Sequence, residues 1–153
     1  MDLFDEKAIK PMLIKDMMNP FNLIDWIYEL KLDGIRCIAY LNDFETDLRN
    51  KRNMNLLPRF PELEMIHKQV KNKCVLDGEL IILKDGVPDF YELQRRTLLI
   101  DTFKIKLANN KYPASFVAYD IIYYNNEATT DLPLIERKKI LQEVFTWEVF
   151  HLV

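Results

Sequence analysis

The sequence predicts an α+β fold built on antiparallel pairing, and three observations lead there. Apolar runs of strand length recur, in "GIRCIAYL", "CVLDGELIIL" and "SFVAYDIIYY", rich in the β-branched and aromatic residues that suit a pleated surface. Asp-Gly pairs at 33–34 and 85–86 are turn signals of the kind that close hairpins. Between and after these runs lie two amphipathic stretches, "RFPELEMIHKQV" and "LPLIERKKILQEVF", with apolar residues at helical spacing. Hairpin-linked strands with interspersed helices are the signature of the α+β class.

Taken in order, the elements read as follows. "LIDWIYEL" supports a strand over 23–31, the Asp33-Gly34 turn follows, and a partner strand covers 35–42. A third strand lies near 45–52. Pro61 suits a first helical turn, so a helix is expected from there, with Leu63, Ile66 and Val70 on one face. A strand through "KCVLDGELIIL", the turn "KDGV" and a strand or short helix through "PDFYELQRR" come next. A polar stretch with "ANNKYP" leads into "SFVAYDIIYY", "NNEATTD" is a loop, and the last stretch is a helix with Leu134, Ile140, Leu141 and Phe145 inward.

The chain has 153 residues and 49% hydrophobic content, enough for the core of one domain. No apolar run approaches the roughly 18 residues of a membrane span, and "MDLFDEKAIK" lacks the apolar region of a signal peptide. Cys37 and Cys74 read as buried, reduced thiols of a cytoplasmic protein. His67 and His151 share no metal-ligand spacing with each other or the cysteines, which argues against zinc. Net charge is −3, unlike a domain that holds nucleic acid unaided. Basic clusters stand at 49–53 and 68–73; the second reads as a solvated turn. The chain stops on the apolar "TWEVFHLV", which reads as a cut inside a larger fold.

Several charges interrupt apolar strands: Lys31, Asp77, Glu79 and Asp120. Each is costly to bury unless paired or functional. Taken singly, each fits a solvated strand end or a structural ion pair. Together, on different strands, they are expected to meet in one cleft. Lys31-x-Asp33-Gly34-x-Arg36 adds an amine and a guanidinium on either side of a turn.

These residues keep company, in order, with "KPMLI", "WIYELKLDGIR", "KRNMNLLPRFPEL", "VLDGELIILKDGVPDFYELQRR" and "ASFVAYDIIYYNNEATTDLPLIERKKIL". From about Pro11 to Leu141 the chain resembles the adenylation domain of ATP-dependent DNA ligases, above all the ligase module of bacterial end-joining systems. The resemblance implies an ATP-grasp-like nucleotidyltransferase fold, here its N-terminal part, over residues 1–153, without the OB-fold domain. It implies that Lys31 attacks the α-phosphate of ATP and carries AMP as a phosphoramidate, which passes to a DNA 5′-phosphate before the nick is sealed. Glu29 matches a position by the adenine edge, Asp33 and Gly34 hold the turn, and Arg36 lies beside ribose and phosphates. Arg52 matches an arginine that meets nucleotide and DNA phosphate. Glu79 matches the acid at the ribose, and is also the expected metal contact. Tyr119 stands where the family has a phenylalanine stacked on adenine. ATP, Mg²⁺ or Mn²⁺, and nicked or broken duplex DNA are the implied cofactors and partners. No membrane partner is implied, and the residues are silent on oligomeric state.

The chemistry of the residue types agrees. A lysine attacks phosphorus only as the free amine, which a neighbouring cation, a metal or desolvation favours. Arginine stays charged and offers a planar fork to phosphate oxygens. Three departures from the family pattern stand out. Met54 replaces a glycine after Arg52, and Tyr119 replaces the phenylalanine. A later glutamate strand and a lysine pair of the family have no counterpart after residue 141, which implies weak nucleotide binding and no nick sealing by these residues alone. An RNA ligase or capping enzyme shares Lys-x-Asp-Gly, and a non-catalytic nucleotide- or DNA-binding remnant is the alternative outside catalysis.

Overall fold

The computed structural model describes residues 2–12, 19 and 22–146. The central sheet is antiparallel, in the order β2-β1-β3-β5-β6. Its strands are β1 (Ile35–Leu41), β2 (Thr46–Asn50), β3 (Cys74–Lys84), β5 (Ala114–Tyr124) and the two-residue β6 (Glu127–Ala128), with the short β4 (Val87–Pro88) pairing off β3. The helices are α1 (Leu3–Glu6), α2 (Phe90–Thr97), α3 (Thr102–Lys111) and α4 (Leu134–Val144), of which α1, α2 and α4 pack on the sheet. The α+β reading with antiparallel strands holds.

Strand alternation gives the sheet two faces. One carries Cys37, Ala39, Leu41, Leu48, Leu76, Leu80, Ile82 and Ala118, covered by Leu93 of α2 and Leu141 and Val144 of α4. The other carries Ile38, Tyr40, Val75 and Tyr123 against Phe4 of α1. Lys73 fastens α1 by an ion pair to Asp2 at 3.1 Å and by lying over the Phe4 ring at 4.4 Å. Of the 68–73 cluster, then, Lys73 is a structural clip rather than part of a solvated turn. Cys37 and Cys74 are buried and free. His67 is also structural: its ring and backbone meet the Thr46 hydroxyl at 3.1 Å.

The expected hairpin at Asp33-Gly34 does not form. Both edges of β1 are taken, by β3 along Ile35–Leu41 and by β2 from Cys37 onward, so residues 23–31 have no place beside it. These residues contain no strand and are exposed. Gly34 is also not among the positive-φ glycines, whereas a two-residue hairpin of this kind needs φ > 0 at both positions. That turn occurs instead at Asp85 and Gly86, with φ of 53° and 80°, and again at Asn125 and Asn126, where it closes β5 onto β6.

Three further expectations change. The helix foreseen from Pro61 is a series of 3₁₀ turns, Leu57–Arg59, Pro61–Leu63 and Ile66–Gln69. Pro58 and Pro61 lack the N–H groups a continuous helix would use. They fall in the first two turns, which are closed by i→i+3 bonds such as Glu64 N–H to Pro61 O at 3.1 Å. The polar stretch before "SFVAYDIIYY" contains α3, capped by Asp101, whose carboxylate accepts from the Lys104 N–H. In α4, Leu141 and Val144 point inward, whereas Leu134, in the first turn, is exposed. Residues 147–153, including His151 and the apolar chain end, lie outside the described residues.

The 3₁₀ turns are tied to the rest by one buried ion. Arg96 of α2 is fully buried and pairs with Glu62 at 2.5 Å, donates to the Arg59 carbonyl at 2.6 Å, and lies 4.7 Å from the Phe60 ring centre. Glu62 in turn accepts from the Ala114 N–H at the start of β5. The "PEL" and "LQRR" segments of the sequence are thus two halves of one lock.

Candidate active site

The face that carries Ile38, Tyr40 and Val75 continues past the α1 cover to Arg36, Asp77 and Glu79. In register, Arg36 stands opposite Glu79 and Ile38 opposite Asp77. The Arg36 fork reaches diagonally to Asp77, Nε at 3.0 Å and Nη2 at 2.5 Å, and its Nη1 donates to the Met12 carbonyl at 2.6 Å. Asp77 is buried and Arg36 partly so. The pairing holds the Arg36 guanidinium even more firmly protonated than usual. Three of the five guanidinium N–H groups are thereby used.

Two glycines let strands and loop close on this point. A Cβ on Gly78 would lie 2.4 Å from the Val117 carbonyl and 2.7 Å from the Phe116 ring. A Cβ on Gly34 would lie 2.2 Å from the Leu80 carbonyl and 2.8 Å from the Glu79 side chain. Gly34 therefore serves close approach: the segment bearing Lys31 and Asp33 passes over β3 instead of folding back on β1.

Tyr119 owes its position to a bulge. Asp77 pairs with Asp120 and Gly78 with Ala118, so Tyr119 is the extra residue on β5, and such residues re-aim a side chain. Its ring centre lies 5.7 Å from the Arg36 guanidinium carbon. Burial first, then the charge of Asp77, pushes its hydroxyl well above the usual phenol range.

Glu79 is the most perturbed carboxyl of the site. Burial pushes it up to about 7, opposed by the positive charges of Arg36 and Lys31 and reinforced by the negative charges of Asp77 and Asp33. Such a carboxyl changes charge near neutrality and can donate or accept a hydrogen bond. Lys31 and Asp33 are exposed, and the charges of both act on Glu79. The partial desolvation expected of a nucleophilic amine is not in place at Lys31.

Other expected residues are distributed differently. Asp120 does not join the cleft: it pairs with Arg137 of α4 through both oxygens, at 2.9 and 3.0 Å. Glu29 pairs with Lys138 of α4, whose ammonium also donates to the Tyr119 carbonyl at 2.5 Å. Arg52 is exposed in the turn after β2, where the Asn50 side chain accepts from the N–H groups of Arg52 and Met54. Because Asn50 pairs with Cys37, that turn sits at the same sheet end as Arg36. The left-handed residue in it is Asn53, with φ of 60°, so Met54 needs no glycine-like backbone. Arg49 of the same basic cluster is spent on Asp47, at 2.7 and 2.9 Å.

Among the described residues no three Cys, His, Asp or Glu side chains come together to hold a metal ion. Sequence reasoning missed Lys138 and the Met12 carbonyl. "ERKK" reads as an ordinary solvated helix face, and a backbone carbonyl has no sequence signal.

The family model for the "ATP dependent DNA ligase domain" matches residues 8–152. The chain belongs to this family. It is similar to DNA ligase C of Mycobacterium tuberculosis, 31% identical over 90% of this chain and 38% of the relative. The prophage-derived DNA ligase-like protein LigB of Bacillus subtilis is 33% identical over 89% of this chain and 47% of its own length. The end-joining protein LigD of the same organism is 32% identical over 80% of this chain and 21% of its length. The chain thus spans less than half the length of these relatives. A solved structure titled mycobacterial DNA ligase D complexed with ATP and MES superposes with a TM-score of 0.62 at 24% identity, covering 75% of this chain and 35% of that one. That likeness establishes that the two chains share a fold. No helix among the described residues is long and apolar enough to cross a membrane.

Proposed function

We propose that this ligase-family chain carries the nucleoside half of an adenylation site and the nucleophile of its first step. Lys31 Nζ, as the free amine, attacks the α-phosphate of ATP. A P–N bond forms, the P–O bond to pyrophosphate breaks, and AMP remains on Lys31. AMP then passes to a DNA 5′-phosphate, and the adjacent 3′-hydroxyl displaces it to join the strand.

The observation that carries this reading is the convergence at one sheet end of Arg36, Asp77, Glu79 and Tyr119, with Lys31 acting on Glu79. Tyr119 offers a half-buried π face to a purine. Glu79 suits a ribose hydroxyl, because a carboxyl near 7 both donates and accepts. The two N–H groups of Arg36 left over from Asp77 and Met12 suit the α-phosphate. Arg52, at the same sheet end, supplies a further cation for nucleotide or DNA phosphate. A divalent ion would arrive on the triphosphate, since the described side chains do not assemble a site for it.

Charge balance sets the expected rate. At Glu79 the nearby cations are Arg36 and Lys31, and Arg36 is largely engaged by Asp77. Pyrophosphate departure from so few cations is slow, because missing electrostatic donors each cost about 3 kcal/mol of transition-state stabilisation. Residues 1–153 alone therefore form lysyl-AMP slowly and do not seal nicks. The test is incubation with α-labelled ATP or GTP, then a chase with nicked duplex DNA. Label from ATP but not GTP, with no sealed product, is the expected result. Preference for GTP, or nick sealing by this chain alone, overturns the reading.

A further inference from the structure

We propose that Lys138 of α4 is a positioning residue that tethers the Lys31-bearing segment to β5 by bridging the Glu29 carboxylate and the Tyr119 carbonyl. The inference rests on the function proposed above and adds a residue to that site. Residues 22–33 belong to no strand, and several of their apolar side chains lie open, with Ile24 98%, Leu30 73% and Leu23 53% exposed. A segment without a ladder needs another anchor if it is to hold an amine in register with a reacting phosphorus.

Lys138 supplies that anchor from rigid structure. Its side chain is only 15% exposed, and its ammonium meets both Glu29 and the carbonyl of the bulge residue. The neighbouring Arg137 fixes the same turn of α4 by its two bonds to Asp120 and one to the Leu132 carbonyl at 2.6 Å. Consecutive cations on α4 therefore do different things. Arg137 docks the helix on β5, and Lys138 reaches past β5 to the loop. Glu29 lies two residues before Lys31, so the tether fixes where Lys31 leaves the loop relative to β5.

The experiment compares the wild-type chain with Lys138→Met, with the paired reversal Glu29→Lys plus Lys138→Glu, and with Lys139→Met, which alters an exposed lysine one residue on. Amide hydrogen exchange of peptides covering residues 22–33 reads the tether without any nucleotide. Exchange there should rise about tenfold in Lys138→Met, the scale of one charged hydrogen bond, with peptides from β1, β3 and β5 unchanged. The reversal should restore only part of the protection, because a carboxylate at 138 can pair with a lysine at 29 but cannot donate to the Tyr119 carbonyl, and Lys139→Met should behave as wild type. Labelling by ATP then reads the function: Lys138→Met should raise the half-saturating ATP concentration about fivefold at an unchanged melting temperature, which a merely structural role would lower.

Unchanged exchange in Lys138→Met overturns the tether, as does tighter ATP binding, which would make Lys138 a competitor for Glu29. If the wild type takes no AMP at all, the proposed function fails, while the exchange data still decide the tether.

Discussion

Glu79→Gln makes the perturbed carboxyl measurable. In the folded chain this group sits at about 7 rather than 4.5, chiefly through burial. Its folded-state value is raised, so the folded chain holds a proton that the unfolded chain releases. Its contribution to stability is complete below about pH 4.5 and is lost as pH climbs towards 7. A displacement of that size corresponds to about 3 kcal/mol at most, and solvent screening at a half-buried group reduces this to roughly 1–2 kcal/mol. Glutamine keeps the shape and cannot ionise. Urea unfolding of both proteins at pH 5 and pH 8 should show the variant gaining about 1–2 kcal/mol on the wild type between the two. A difference between the two proteins that is the same at both pH values would refute the burial argument.

Two further substitutions probe the supports of the site. Gly78→Ala places a Cβ 2.4 Å from the Val117 carbonyl, and chemical unfolding should register a loss of about 1–3 kcal/mol or more, the cost of forced overpacking. Arg96→Ala strands Glu62 beside Phe60 and removes the lock on the 3₁₀ turns; the same assay should show a loss of about 3–5 kcal/mol, with Arg96→Lys recovering only part of it because lysine lacks the fork.

Much of the sheet was legible because its central strands are long apolar runs: β1, β3 and β5 fall where "IRCIAYL", "CVLDGELIIL" and "SFVAYDIIYY" predict them. The Asp33-Gly34 hairpin misled because a turn dipeptide is a local signal, whereas the edges of β1 are assigned by partners far along the chain. Helix α3 escaped notice because only Ile105 and Ala108 are buried in it, too few to give a stripe. At the site, Arg36, Glu79 and Tyr119 are individually conspicuous in the sequence. Their convergence depends on the bulge at Tyr119 and on Asp77 turning to Arg36, and neither has a local sequence code. Asp120 is as conspicuous as Asp77, and only the position of Arg137 on α4 separates a structural acid from one at the site.

The most direct test of Lys31 as nucleophile is intact-protein and peptide mass spectrometry after incubation with ATP and Mg²⁺ or Mn²⁺, with Lys31→Ala in parallel. The account predicts a slow, sub-stoichiometric adduct of one AMP, mapped to Lys31 and absent from the alanine variant. AMP on another residue, an adduct that survives Lys31→Ala, or no adduct at any ATP concentration would contradict it.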